Sequence, residues 1–397
     1  MSFRANPATV AVRAGLESDQ QHGAVVPPLH LSSNFAFRGF GDRRKYDYTR
    51  SGNPTRDVLC DALSALEGGE GAVVTSSGMA AVNLVLQLLG PGDRLVAPHD
   101  CYGGSYRLFN WLAARGQFEL HFIDQTSSAG FDRIRALRPK LILAESPSNP
   151  LLRITDIRAL SALAKDVGAL LAVDNTFLSP VLQQPINLGA DLVIHSTTKY
   201  LNGHSDVVGG AVISATRELA DELAGWANCL GITGSPFDSF LTMRGVRTIH
   251  ARIRQHEENA LSLATLLEQH ACVRQVHYPG LPSHPGHETA RRQQTGFGGM
   301  VSFEIDGDHS AVRLFVESLE HFSLAESLGG VESLVCHPAS MTHAPLDEKA
   351  LALAGISPNL IRLSVGIEHK DDLIGDVHRA LNLALAGATA GVTAVAI

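Results

Sequence analysis

Ala190-Asp191-Leu192-Val193-Ile194-His195-Ser196-Thr197-Thr198-Lys199-Tyr200 is an apolar run that closes in hydroxyl groups and a lysine. Upstream, Ala169-Leu170-Leu171-Ala172-Val173 runs into Asp174-Asn175-Thr176. The 25 residues from Asp174 to Lys199 leave room for a connection and a second strand. An acid and a lysine therefore emerge at the ends of two neighbouring strands. Pyridoxal 5'-phosphate (PLP) chemistry uses such a pair. The amine bonds to the aldehyde, and the carboxylate keeps the pyridine nitrogen protonated so that the ring accepts electrons. Ser196 and Thr198 can hydrogen-bond the phosphate. Taken singly, Lys199 reads as a surface lysine and Asp174 as a strand-end acid. Taken together, with the hydroxyl groups, they favour the cofactor.

Working outward, the pattern from Arg56 to about Ser214 alternates strand and helix. Strands are expected at 72–75, 94–97, 119–123, 141–144, 170–173, 192–195 and 211–214, mostly as continuous apolar runs. Such runs belong to a sheet covered on both faces. The fold class is α/β, with a doubly wound, mostly parallel seven-stranded sheet. Ile157, Leu160, Leu163, Ala164 and Val167 mark one helix, with Thr155 as N-cap and Gly168 ending it. Beyond a long helix around 249–270, strands at 275–278, 300–304, 323–324 and 360–364 and helices near 310–319 and 371–385 imply a smaller α+β domain. The first sixty residues are rich in Gly, Pro and Arg, which argues against a compact helical start and for an extended arm. The expected division is an arm over 1–62, a large domain over 63–257 and a small one over 258–397. The alanine-rich end reads as a last helix followed by a loose tail.

The 397 residues, 45% of them hydrophobic, suffice for a large core. A net charge of -8 without any basic block argues against nucleic acid as partner. Five scattered cysteines without a C-x-x-C suit free thiols in the cytoplasm, and the first residues lack the apolar core of a signal peptide. No membrane role is expected. His277, His284 and His287 share a loop, but no paired spacing with Cys or carboxylates makes them metal ligands.

Further motifs gather at the same sheet edge. Val73 to Ala80 reads as strand, tight turn and helix, and Gly78 lets a phosphate approach the free N–H groups of the helix start. No G-x-G-x-x-G supports a dinucleotide instead. Tyr102, in Asp100-Cys101-Tyr102-Gly103-Gly104, can stack on a flat ring. Tyr48 and Arg50, two apart on an extended segment, point the same way and can hold a phosphate jointly. Asn149 follows a strand with an amide in reach of a ring hydroxyl. Arg362, inside Leu360-Ile361-Arg362-Leu363-Ser364, needs a partner. It is either a bidentate clamp for an amino-acid carboxylate or half of a structural ion pair.

These residues together resemble the cysteine/methionine-metabolism family of PLP enzymes (fold type I). The resemblance rests on Asp191 to Asp206, Arg50-Ser51-Gly52-Asn53-Pro54-Thr55, Ser77-Gly78-Met79, Asp174-Asn175-Thr176-Phe177, Ala325-Glu326-Ser327-Leu328-Gly329-Gly330 and His337 to His343. It spans about residues 8 to 385. It implies that Lys199 holds PLP, Asp174 meets the pyridine nitrogen, and Tyr102 stacks. It gives the phosphate to Gly78, Met79, Ser196 and Thr198, joined by Tyr48 and Arg50 of a neighbouring subunit. Asn149 then contacts the ring oxygen, and Arg362 with Ser327 holds the substrate α-carboxylate. Asp47, Glu326 and Arg107 complete the substrate contacts, Arg107 toward a succinyl carboxylate. A homotetramer built as a dimer of dimers follows.

Within the family, the blocks around Tyr102 and Glu145 are similar to bacterial members that replace the acyl group of O-succinylhomoserine by cysteine. Asp47 and Gly104 agree with that activity. Ser51, where some such members carry a second arginine, is common in members that cleave the thioether product. Cleavage therefore stays open, as does the identity of the acyl group and of the thiol.

Overall fold

The computed structural model describes the backbone of residues 5–344 and 348–394. Seven strands form the large sheet: β1 (Gly71–Thr75), β2 (Arg94–Pro98), β3 (Glu119–Ile123), β4 (Leu141–Glu145), β5 (Leu170–Asp174), β6 (Leu192–His195) and β7 (Gly210–Ser214). Their order is β1-β7-β6-β5-β4-β2-β3. Only β7 runs against its neighbours. All seven strands fall within a residue or so of their expected positions. The apolar runs are continuous because both faces are covered: Val193 of β6 joins one buried cluster, Leu192 and Ile194 another.

The successor of β2 lies outward of it, and the successor of β4 lies on the opposite side. The chain thus changes direction between β2 and β4, which opens a crevice at the carboxyl ends of the strands. The segments that leave β2, β4 and β6 carry Tyr102, Asn149 and Lys199, and Asp174 ends β5.

A second sheet, ordered β10-β11-β12-β9-β8, contains β8 (Val273–His277), β9 (Met300–Ile305), β10 (Ser323–Leu324), β11 (Leu334–Cys336) and β12 (Leu360–Ser364). Arg362 sits in β12, between Cys336 of β11 and Ser302 of β9. The helix Pro236–Gln269 spans both halves. Its residues up to Ile253 pack with β1 and β7, and those from Ala260 onward pack with the second sheet.

Four expectations change. The N-cap of helix Ile157–Val167 is Asp156, whose side chain accepts from the Ala159 N–H at 3.0 Å, and not Thr155. Two residues upstream of the helix, Thr155 is outside hydrogen-bond register for capping. The start is not wholly extended. Asn6 caps a short helix, Pro7–Arg13, which buries Ala11 and is held by Arg247 donating to the Val12 carbonyl. The helix Pro54–Glu67, with an Asn53 cap and Pro at its first position, crosses the expected arm boundary at residue 62. Finally, the last helix continues from Lys370 to Ala394. Its alanines favour helix more than the interrupting glycines disfavour it. Residues 1–4, 345–347 and 395–397 lie outside the described set, and with them the extreme ends of the arm and tail. No described helix is long and apolar enough to cross a membrane.

Candidate active site

A cavity of about 410 Å³ opens in the crevice. Gly78, Met79, Tyr102, Asn149, Asp174, Ser196, Thr198, Lys199, Glu326, Ser327 and Arg362 all line it, so eleven expected residues come together.

Ser77 caps the helix Gly78–Leu86 by accepting from the Ala80 N–H at 3.1 Å. Gly78 and Met79 of that first turn line the cavity together with Ser196 and Thr198. A Cβ on Gly78 would come 2.7 Å from Ser196 Cβ, so only glycine leaves the cradle open. Gly78→Ala is expected to weaken PLP binding by about 10- to 100-fold, the equivalent of roughly 1–3 kcal/mol of overpacking. A titration of cofactor-free protein with PLP measures it.

Lys199 Nζ donates to Ser327 Oγ at 2.8 Å. Burial, aided by the charge of Arg362, pulls the amine down to about 8. Asp174 is pushed up by burial, against the Thr176 hydroxyl and N–H that hold it ionised. A carboxylate in that setting gains by meeting a cation, which a protonated pyridine supplies. Behind the strand ends, His195 Nε2 meets Glu67 Oε1 at 2.6 Å, and Asn175 Nδ2 donates to the same oxygen at 2.9 Å. This fully buried cluster ties β5 and β6 together next to Asp174 and Lys199.

Arg362 is 2% exposed. It donates from Nη1 to Asn149 Oδ1 at 2.8 Å and from Nη2 to the Ser327 carbonyl at 3.0 Å. Its Nε is buried without a partner among the described residues. No acid pairs with it among the described residues, and a charge held this way can take a carboxylate. Ser327 adopts φ +85°, a strained conformation that turns its carbonyl to Arg362 and its hydroxyl to Lys199.

Four expected residues do not line the cavity: Asp47, Tyr48, Arg50 and Arg107. Tyr48 is half exposed, Arg50 binds the Asn228 side chain at 2.9 Å, and Asp47 holds Ser51 and Arg43. For Arg107 the reason is helical geometry. On the helix Gly103–Ala114, position 105 shares the face of Tyr102 and lines the cavity, whereas position 107 is turned about 140° from Tyr102 and is exposed. Arg107 therefore stands outside the single-chain cavity.

Among the lining groups that sequence reasoning missed are Glu145 and the Ser327 hydroxyl. Glu145 had a legible signal, since it ends β4 in register with Asp174 at the end of β5. The hydroxyl had none, because it depends on a local twist.

A lysine of depressed pKa, a buried acid and a helix-start cradle on one α/β sheet fit PLP in its three parts: aldehyde, ring nitrogen and phosphate. They define a PLP-dependent enzyme. The chain belongs to the Cys/Met metabolism PLP-dependent enzyme family, whose model matches residues 8–382. It is 55% identical to a cystathionine gamma-synthase of Escherichia coli (strain K12), over 96% of this chain and 99% of that protein. It is 45% identical to a cystathionine beta-lyase of Lactococcus lactis subsp. cremoris, over 94% and 98%. A solved structure of cystathionine gamma synthase from Xanthomonas oryzae pv. oryzae in complex with cystathionine superposes with a TM-score of 0.96 at 61% identity, covering 96% of this chain and 99% of that one.

Proposed function

We propose that the protein joins the thiol of L-cysteine to the γ-carbon of O-succinyl-L-homoserine, releasing succinate and forming L-cystathionine on the route to methionine. The likeness to the gamma-synthase of E. coli over nearly the whole chain carries this reading. A C–O bond breaks and a C–S bond forms at one carbon. Protons leave Cα and Cβ on the way and return to the same carbons.

Bound PLP supplies an electron sink for the carbon that loses its proton. The residues of the chain do the rest. Lys199 holds the cofactor and, once displaced by the substrate amine, carries protons at Cα and Cβ. Its depressed pKa makes the neutral amine more available than that of an ordinary lysine. Asp174 faces the ring nitrogen, Tyr102 stacks on the ring, and Gly78, Met79, Ser196 and Thr198 hold the phosphate. Asn149 gives its oxygen to Arg362 and has its NH₂ left for the ring oxygen. Arg362 and Ser327 hold the α-carboxylate, with Glu326 at the rim.

Tyr48 and Arg50, with Asp47 beside them, reach the phosphate and substrate of a second subunit. Val25, Leu31, Phe37 and Phe40 on the same arm are exposed apolar groups of the kind a subunit contact covers. The assembly is a dimer of such dimers, working in the cytoplasm. The domain division falls near residue 257, where the long helix passes from one core to the other. If the arm acts in trans, Arg50→Ala and Lys199→Ala proteins are each inactive. Refolding them together then restores turnover, because each mixed dimer has one complete site. An activity no higher than that of the separate proteins would place Arg50 outside the neighbour's site.

Two parallel reactions test the main proposal. One contains O-succinylhomoserine and cysteine, and cystathionine is measured. The other contains cystathionine alone, and 2-oxobutyrate and pyruvate are measured. Faster cystathionine formation is expected. Faster release of a keto acid would favour thioether cleavage, the reading that Ser51 and the lactococcal relative support.

A further inference from the structure

We propose that Glu145 is a positioning residue for the cofactor ring, acting through Tyr102 and Asn149. Its Oε2 accepts the Tyr102 N–H at 3.1 Å and its Oε1 accepts the Asn149 N–H at 3.0 Å. One buried carboxylate thus ties the segment after β2 to the segment after β4, across the crevice. The two tied residues are those read above as the ring's stacking partner and its oxygen partner, so the inference rests on that reading.

Tyr102 needs such a hold. It is the N-cap residue of helix Gly103–Ala114 but makes no side-chain cap bond, and its ring is 40% exposed. The ring passes over Gly104, where an added Cβ would fall 2.5 Å from Tyr102 Cε1. With little packing around the ring, its place depends on its backbone, and the backbone depends on Glu145. A carboxylate is also favoured at a helix start.

A purely structural tie would not require a charge. A neutral carbonyl accepts N–H groups at lower desolvation cost. Glu145 instead stands beside Asp174 on the adjacent strand. Burial, and then the Asp174 charge, push it well above the usual carboxylate range. Like charges placed together away from water are unfavourable unless a cation comes between or next to them. A protonated pyridine ring at Asp174 is such a cation. With that cation bound, Glu145 can ionise and add negative potential where the ring nitrogen binds.

The test compares wild type, Glu145→Gln and Glu145→Asp as PLP-loaded proteins. The readouts are visible circular dichroism of the cofactor, pH titration of its absorbance, kcat and KM, and thermal melting. The amide presents N–H to one of the two N–H donors and removes the charge. Glu145→Gln should lose most of the cofactor's dichroism and lower kcat on the order of 10- to 100-fold, as loss of a supporting partner typically does. KM for the homoserine ester should change little, since Arg362 is untouched. The absorbance titration should move to lower pH, because a nearby negative charge that favours the protonated cofactor is gone. Glu145→Asp keeps the charge but not the reach, so it should restore the titration midpoint and not the dichroism. Unchanged dichroism and midpoint in Glu145→Gln would overturn the proposal. So would activity losses that merely track the melting temperature, or failure of both variants to fold. A wild-type protein whose bound PLP shows no dichroism would instead undermine the reading of Tyr102 and Asn149 as ring contacts.

Discussion

Lys199→Ala is expected to reduce turnover by at least about 10⁴-fold, the upper end of what a single acid–base group contributes. No other amine lines the cavity among the described residues, and Arg362 cannot release a proton at working pH. The variant should still take up PLP in the cradle, but weakly and without the covalent bond, so gel filtration should strip the cofactor that wild type retains. The same amine sets a pH dependence. Its pKa is lowered to about 8, so it is mostly protonated and unreactive below that value and neutral above it. In cofactor-free wild type, the rate of PLP uptake should rise with pH up to about 8 and then level off. A rate that kept rising toward the pKa of an ordinary lysine, about 10.4, would mean the amine is solvated in solution. Full activity in Lys199→Ala would move the chemistry to another residue altogether.

The parts of this structure that were legible in the sequence are those where one local property decides the outcome. The inner strands β4 to β6 are largely buried on both faces, so their apolar runs are nearly unbroken; β5 ends at Asp174, and β6 ends four residues before Lys199. Strand β11 has three residues, Leu334–Cys336, too short for any period to show; it is held by its neighbour β12. The helix Pro7–Arg13 is also short, and it stands because it packs on the long helix, a tertiary effect. The site shows the same division. Residues that carry the chemistry sit at strand ends and in glycine turns, where spacing identifies them. Residues that hold those groups in place act through backbone contacts. Glu145 bonds N–H groups of Tyr102 and Asn149; its place at the end of β4 was legible, but those two partners were not. Arg107 shows a further limit of motif reading: its motif matches, yet its helix sets it on a different face from Tyr102.

Arg362→Lys should be nearly as damaging as Arg362→Leu, an outcome that separates an anchor from a general positive charge. The guanidinium spans two fixed acceptors, Asn149 Oδ1 and the Ser327 carbonyl, from a strand in the middle of the small sheet. An ammonium is a point charge with a different reach and cannot keep both while facing a carboxylate side-on. Removing one partner of a buried, hydrogen-bonded charge pair costs about 2–5 kcal/mol. At about 1.4 kcal/mol per tenfold, kcat/KM for the homoserine ester should fall by roughly 30- to several-thousand-fold. Much of the loss should appear in KM, because the α-carboxylate is bound in the ground state as well as in the transition state. PLP affinity should change far less, since the groups proposed to hold its phosphate and ring nitrogen lie at the large sheet and not in β12. The charge of Arg362 also helps to depress the Lys199 pKa, so Arg362→Leu should shift the plateau of PLP uptake to higher pH, whereas Arg362→Lys should leave it nearly in place. A variant whose kcat/KM is intact would show that the carboxylate is held elsewhere. A variant that loses PLP and substrate together would make Arg362 a brace for the crevice and not an anchor.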